Sequence, residues 1–82
     1  MKEPIEITVD SRRKYAYVVY KQACCDQGIE LSDDGEIVAE LDGDGAVIGI
    51  EVENFDSEKL SRARTFAQTK NLLFPADNIF SE

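Results

Sequence analysis

The chain has 82 residues, 43% hydrophobic and 32% charged, enough apolar surface to bury a core and too much to read as disordered. Seventeen acidic residues stand against nine basic ones, a formal charge of −8. That balance excludes direct nucleic-acid binding unless the cations cluster, and the two candidate clusters, Arg12-Arg13-Lys14 and Lys59 with Arg62 and Arg64, are small.

In chain order, Ile5, Ile7 and Val9 alternate with Glu6, Thr8 and Asp10, the period-two pattern of a strand with one buried face over about residues 5–9. A polar link of hairpin length leads to Tyr15-Ala-Tyr-Val-Val-Tyr20, aromatic and β-branched residues suited to a pleated surface, and residues 15–20 form the second expected strand. It is apolar on both faces, so each face is expected to be covered, one by a helix and the other by a second subunit. Between residues 21 and 35 the pattern weakens around Gly28, Asp33, Asp34 and Gly35. This reads as a long connection with room for a brief edge strand at Ile29 and Leu31.

Residues 36–41 and 46–53 read as strands three and four, joined by Asp42-Gly-Asp-Gly45, a strong hairpin signal. Asp56 or Ser57 then caps a helix over about 57–69, with Leu60, Ala63, Phe66 and Ala67 on one side. Leu72, Leu73, Phe74, Ile79 and Phe80 make an apolar tail over 70–82, broken by Pro75. The expected fold class is α+β, a single domain over 1–82: a small antiparallel β-meander of about four strands with one C-terminal helix packed on one face. No stretch has signal-peptide character or the ~18 apolar residues that cross a bilayer, so a cytoplasmic protein with no membrane contact is expected.

The stretch from Leu41 to Glu53, LDGDGAVIGIEVE, resembles the start of a calcium loop, with Glu53 at position twelve. Ala46 and Val47 occupy the positions where a ligand and the turning glycine are required, so it is read as a turn. With Gly43 and Asp44 at the tip, Ile37 faces Ile50, Ala39 faces Ile48 and Leu41 faces Ala46. The same register sets Glu36 opposite Glu51, Asp34 opposite Glu53 and Glu40 opposite Val47. Like charges across a ladder destabilise it, and a face so furnished meets either solvent, a basic protein surface or a hard divalent metal.

There is no histidine, hence no Ser-His or Cys-His nucleophile, and the commonest general base is missing. Cys24 and Cys25 are adjacent, with neither the spacing of a zinc site nor that of a redox motif, and neighbours pair with each other only in distorted geometry. No glycine-rich strand-to-helix loop cradles a phosphate. Tyr15, Tyr17 and Tyr20, at strand spacing, read as core and interface aromatics rather than base-stacking residues. No catalytic residue, no metal ligand and no cofactor is therefore assigned.

Ile7-Thr-Val-Asp10, Ala16-Tyr-Val18, Glu36-Ile-Val-Ala-Glu-Leu-Asp42, Asp44-Gly45 and above all Val47-Ile-Gly-Ile-Glu-Val52 resemble the small bacterial family filed as domain of unknown function 2283. The resemblance covers about residues 5–54. The chain departs from it at Lys14, where family members carry an acid, in the insertion around Cys24 to Ser32 and in the tail beyond Thr69. It implies the fold, no activity and no catalytic residues, and, through occasional neighbourhood with toxin-like genes, an antitoxin-like role. The function expected overall is a non-catalytic interaction module, homodimeric through the second face of strand two or the apolar tail, binding a basic protein partner through Glu36, Glu40, Glu51 and Glu53. The alternatives are a carboxylate- or metal-dependent hydrolase using the same residues, and a structural subunit of a homo-oligomer.

Overall fold

A computed structural model describes residues 1–81; Glu82, the last residue of the expected tail, lies outside them. The fold is α+β. Five strands, β1 (Glu6–Asp10), β2 (Tyr15–Val19), β3 (Gln27–Glu30), β4 (Ile37–Leu41) and β5 (Val47–Val52), precede one helix, α1 (Ser57–Thr69). The sheet order is β1-β2-β5-β4-β3 and every neighbouring pair is antiparallel. A strict meander would set the next strand in sequence beside β2; instead the β1–β2 hairpin meets the β3–β4–β5 ribbon along β2 and β5. Those two strands, YAYVV and VIGIEV, are rich in apolar residues, and the central positions bury both edges of each.

The fifth strand lies in the 21–35 connection. β3 reads QGIE and is exposed except at Ile29, which packs against the core opposite Ala39. A four-residue edge with one inward side chain leaves only a faint periodic trace, which is why four strands are visible in the sequence and five in the fold.

The register of the β4–β5 hairpin corrects the expected one. Ile37 faces Val52 and Ala39 faces Ile50, while Leu41 faces Val47. Two irregularities each add one residue. Gly45 takes the left-handed conformation at φ 84°, its N–H donates to the Asp42 carbonyl at 3.0 Å, and the Asp42 N–H donates to the Ala46 carbonyl at 2.9 Å. The loop is thus a three-residue turn closed by a left-handed glycine, not a two-residue tip at Gly43 and Asp44. The pairing then shifts between Leu41 and Glu40, leaving Ile48 without a β4 partner, a bulge whose carbonyl accepts instead from the Tyr20 N–H at 2.7 Å and the Lys21 N–H at 3.3 Å. From Ile37 to Glu40 the slip is two, which keeps Ile37, Ala39, Ile50 and Val52 on the core face; at Leu41 it is one, which brings Val47 to that face in place of Ala46.

The core lies between α1 and one sheet face. Leu60, Ala63 and Ala67 of the helix are buried with Ala16, Val18, Ile37, Ile50 and Val52 of the strands. Asp56 is the helix cap, accepting the Lys59 N–H at 2.8 Å, and Asn71 at φ 58° ends the last turn. Beyond it the tail folds back. Leu72, Phe74 and Phe80 are buried in the same core, with the Phe80 ring stacked on Phe74 and edge-on to Phe55, both at 5.7 Å. Arg64 ties the tail to the helix by donating to the Pro75 carbonyl at 2.8 Å and to Asp77 at 2.6 Å. Of the tail, Leu73 and Ile79 are the large apolar side chains left exposed. Among the described residues no helix is long and apolar enough to cross a membrane.

Candidate functional site: the open face of the sheet

Because Ala16, Val18, Ile50 and Val52 point at the helix, the alternate residues of each strand point away from it. The cross-strand pairs place on this second face Thr8, Tyr17, Glu51, Val38 and Glu30 in one row, and Glu6, Val19, Gly49, Glu40 and Gly28 in the next. Asp10 and Tyr15 pair at its end. None of the strand residues is Lys or Arg, and all five strand acids, Glu6, Asp10, Glu30, Glu40 and Glu51, belong to this face. The helix lies on the other side, so a cation must come from outside the sheet.

Two tyrosines organise the centre. The Tyr15 hydroxyl donates to Glu51 Oε2 at 2.8 Å, and the Tyr17 hydroxyl donates to Glu40 Oε1. Tyr17 stands opposite Glu51, whereas Glu40 stands opposite Gly49, so the Tyr17 ring reaches Glu40 by crossing diagonally over residue 49. Only glycine permits this. A Cβ there would sit 2.8 Å from Tyr17 Cε1 and 2.9 Å from the Val18 carbonyl oxygen.

Burial first, and then the hydrogen bond to Glu51, push the Tyr15 phenol up to about 12 from its ordinary 10.0; burial and Glu40 raise Tyr17 further. Both are neutral donors at physiological pH. Each satisfies one carboxylate oxygen without cancelling its charge, and the negative field of the face persists.

The four glutamates singled out in the sequence divide. Glu40 and Glu51 come together on the open face. Glu36 does not join them, because its carboxylate accepts from Lys59 Nζ on the helix and from Asn54 Nδ2. Nor does it face Glu51, whose partner is Val38; Glu36 lies beside Glu53, whose N–H donates to its carbonyl at 2.7 Å. Glu40 faces Gly49 in place of Val47. Asp34 is drawn into its own turn, accepting from Ser32 Oγ at 2.6 Å and the Glu36 N–H at 3.0 Å. The two-residue slip therefore removes the expected Glu36–Glu51 and Asp34–Glu53 confrontations. Glu53 is exposed at the end of the sheet, in an open cleft of about 400 Å³ lined with Asp10, Arg13, Tyr15 and Asn54.

Sequence reasoning missed the roles of Tyr15, Tyr17 and Gly49. The available signal was the glycine inside a strand pattern, which marks a close approach.

Asp42 serves the turn. Its Oδ1 accepts the Asp44 N–H at 2.9 Å and the Ala46 N–H at 3.0 Å, and its Oδ2 pairs with Lys21 Nζ. Lys21 first, and then the Ala46 amide, hold its carboxyl below the usual range. Among the described residues no three His, Cys, Asp or Glu side chains are grouped so as to hold a metal ion. Cys24 and Cys25 are free and exposed. Compared with protein-family models, curated proteins and solved structures, the chain matches none of them.

Proposed function

We propose that the protein is a non-catalytic interaction module whose open sheet face binds a basic protein. The observation that carries this reading is the segregation of charge: the strands give one uncovered face five acids, two phenol rings and no cation, with Arg13 of the β1–β2 turn reaching Asp10 at its end. Carboxylates beside ring faces suit guanidinium and ammonium groups, which pair with the one and stack on the other. Glu40 and Glu51 are the central contacts and Glu53 a peripheral one. Glu36, engaged by Lys59, contributes through the shape of the sheet end. Exposed ion pairs are worth about 0.2–1 kcal/mol each, so binding draws on several and weakens as salt rises.

The antitoxin-like role implied by the family resemblance is one case of such binding, the partner then being a basic toxin. The exposed thiols fit a reducing compartment, and the proposal places the protein in the cytoplasm. For the homodimer we propose a contact at the β1 edge, where Ile5 is 56% and Ile7 40% exposed, since most of the tail is spent in the core. Light scattering at high micromolar concentration tests that contact; a clean monomer overturns it.

The recognition surface is tested by titrating labelled protein with an arginine-rich peptide and a glutamate-rich control. Saturable shifts of the β2, β4 and β5 amides with the first peptide alone, lost in Glu40→Lys/Glu51→Lys and reduced by salt, are expected. Equal recovery of proteins from native cell extract by wild-type and charge-reversed baits would sink the proposal.

A further inference from the structure

Beside the β4–β5 turn three lysines border one concavity. Lys2, Lys21 and Lys70 line a cavity of about 260 Å³ together with Gly45, Ala46, Val47 and Leu72. Three separate pieces of the chain bring them there. Lys2 is fixed by a short parallel bridge to the tail, its N–H donating to the Asn71 carbonyl at 3.1 Å and its carbonyl accepting the Leu73 N–H at 2.8 Å. Lys21 follows β2, and Lys70 is the C-terminal cap of α1.

Cations elsewhere in this acidic protein are mostly spent: Arg13 on Asp10, Lys59 on Glu36 and Asp34, Arg62 on Glu58, Arg64 on Asp77. Lys21 pairs with Asp42 and also feels Asp44. Among the described residues, however, Lys2 and Lys70, like Arg12 and Lys14 of the β1–β2 turn, have no carboxylate partner; the Lys70 ammonium lies 5.8 Å from the Phe66 ring centre. Two lysines without a carboxylate partner thus line one concavity in a chain of charge −8, each on a side chain long enough to turn its ammonium group into it. The helix C-terminus favours a lysine at position 70 by itself, but it does not account for Lys2. The cavity wall is apolar at Ala46, Val47 and Leu72.

We propose that this cavity binds a small anion that carries an apolar body, a phosphate monoester being the class that fits. Lys2 and Lys70 would hold the phosphoryl oxygens by charge-assisted hydrogen bonds, with Lys21 steered toward them from its pair with Asp42, and the ester group would cover Val47 and Leu72. The overall negative charge repels long polyanions and leaves a small ligand as the one admitted.

Phenyl phosphate is the probe, read by amide chemical shifts on the full chain, with inorganic phosphate and a short single-stranded oligonucleotide as further arms. Saturable shifts confined to residues 45–47 and 70–73, weaker for inorganic phosphate, are expected. Lys2→Gln/Lys70→Gln should lower the affinity about tenfold or more while the remaining amide spectrum, which reports folding, stays unchanged. Shifts that do not saturate, that persist equally in the double variant, that are as strong for inorganic phosphate, or that appear more strongly with the oligonucleotide would overturn the proposal.

Discussion

The ring of Tyr17 lies against the backbone of Gly49, so close that a Cβ at position 49 would stand 2.8 Å from Tyr17 Cε1. Gly49→Ala is therefore predicted to destabilise the protein by about 1–3 kcal/mol, the usual cost of overpacking. The second contact, 2.9 Å to the Val18 carbonyl oxygen, is with backbone that cannot rotate away. Tyr17→Ala in the same chain should hence restore only part of the loss. Urea denaturation measures both, and a Gly49→Ala change within about 0.5 kcal/mol of wild type would contradict the account.

The tyrosines predict an alkaline transition. Tyr15 is pushed up to about 12 by burial and Glu51, Tyr20 to about 12 by burial alone, and Tyr17 further still. The folded state holds these protons more tightly than the unfolded chain. The stability they contribute is complete below pH about 10 and is lost as pH rises through the folded values. The tyrosinate absorbance should stay flat through pH 10 and rise together with loss of the fold. Any one of the three phenols titrating at its ordinary value would refute the arrangement.

Carboxylates predict the acid limb. Asp34 is lowered to about 2, chiefly by the Ser32 hydroxyl and then the Glu36 amide, and Asp42 is lowered by Lys21 and the Ala46 amide. Depressed carboxyls contribute stability that is present above 3.8 and disappears as pH falls toward the folded values. Asp42→Asn keeps an acceptor for the Asp44 and Ala46 amides but loses the Lys21 pair, and should flatten this limb. Asp42→Ala also strands the two amides and should cost more at every pH. Thermal melts from pH 2 to 7 compare them; identical melts for the two variants would count against the turn as described.

The tail predicts a contrast between neighbours in sequence. Phe80 is 2% exposed and packed on Phe74 and Phe55, so Phe80→Ala should cost about 3–5 kcal/mol, a large share of what a domain of this size possesses. Ile79, 49% exposed, should tolerate alanine within about 0.5 kcal/mol. Chemical denaturation that found the two equal would show that the tail does not close the core.

What the sequence by itself determined is local. Alternation at Ile37, Ala39 and Leu41, and the cap at Asp56 before Leu60, Ala63 and Ala67, are enough to announce strands, a helix and their apolar faces, since these depend on residues within a few positions of one another. An α+β fold follows, with the carboxylates on the faces that alternation assigns.

Only the tertiary structure decided the neighbours across the sheet. β5 lies beside β2 because both need burial on two edges, β3 completes an edge with one inward residue, and the left-handed Gly45 with the bulge at Ile48 moves the hairpin register by two. Those long-range choices take Glu36 to Lys59, bring Tyr17 over Gly49 to Glu40, and fold the tail onto Phe55. Pairing of this kind depends on the combined burial of residues far apart in the chain, which no local pattern encodes, and it is what turned a scatter of acids into one face to which no strand contributes a cation.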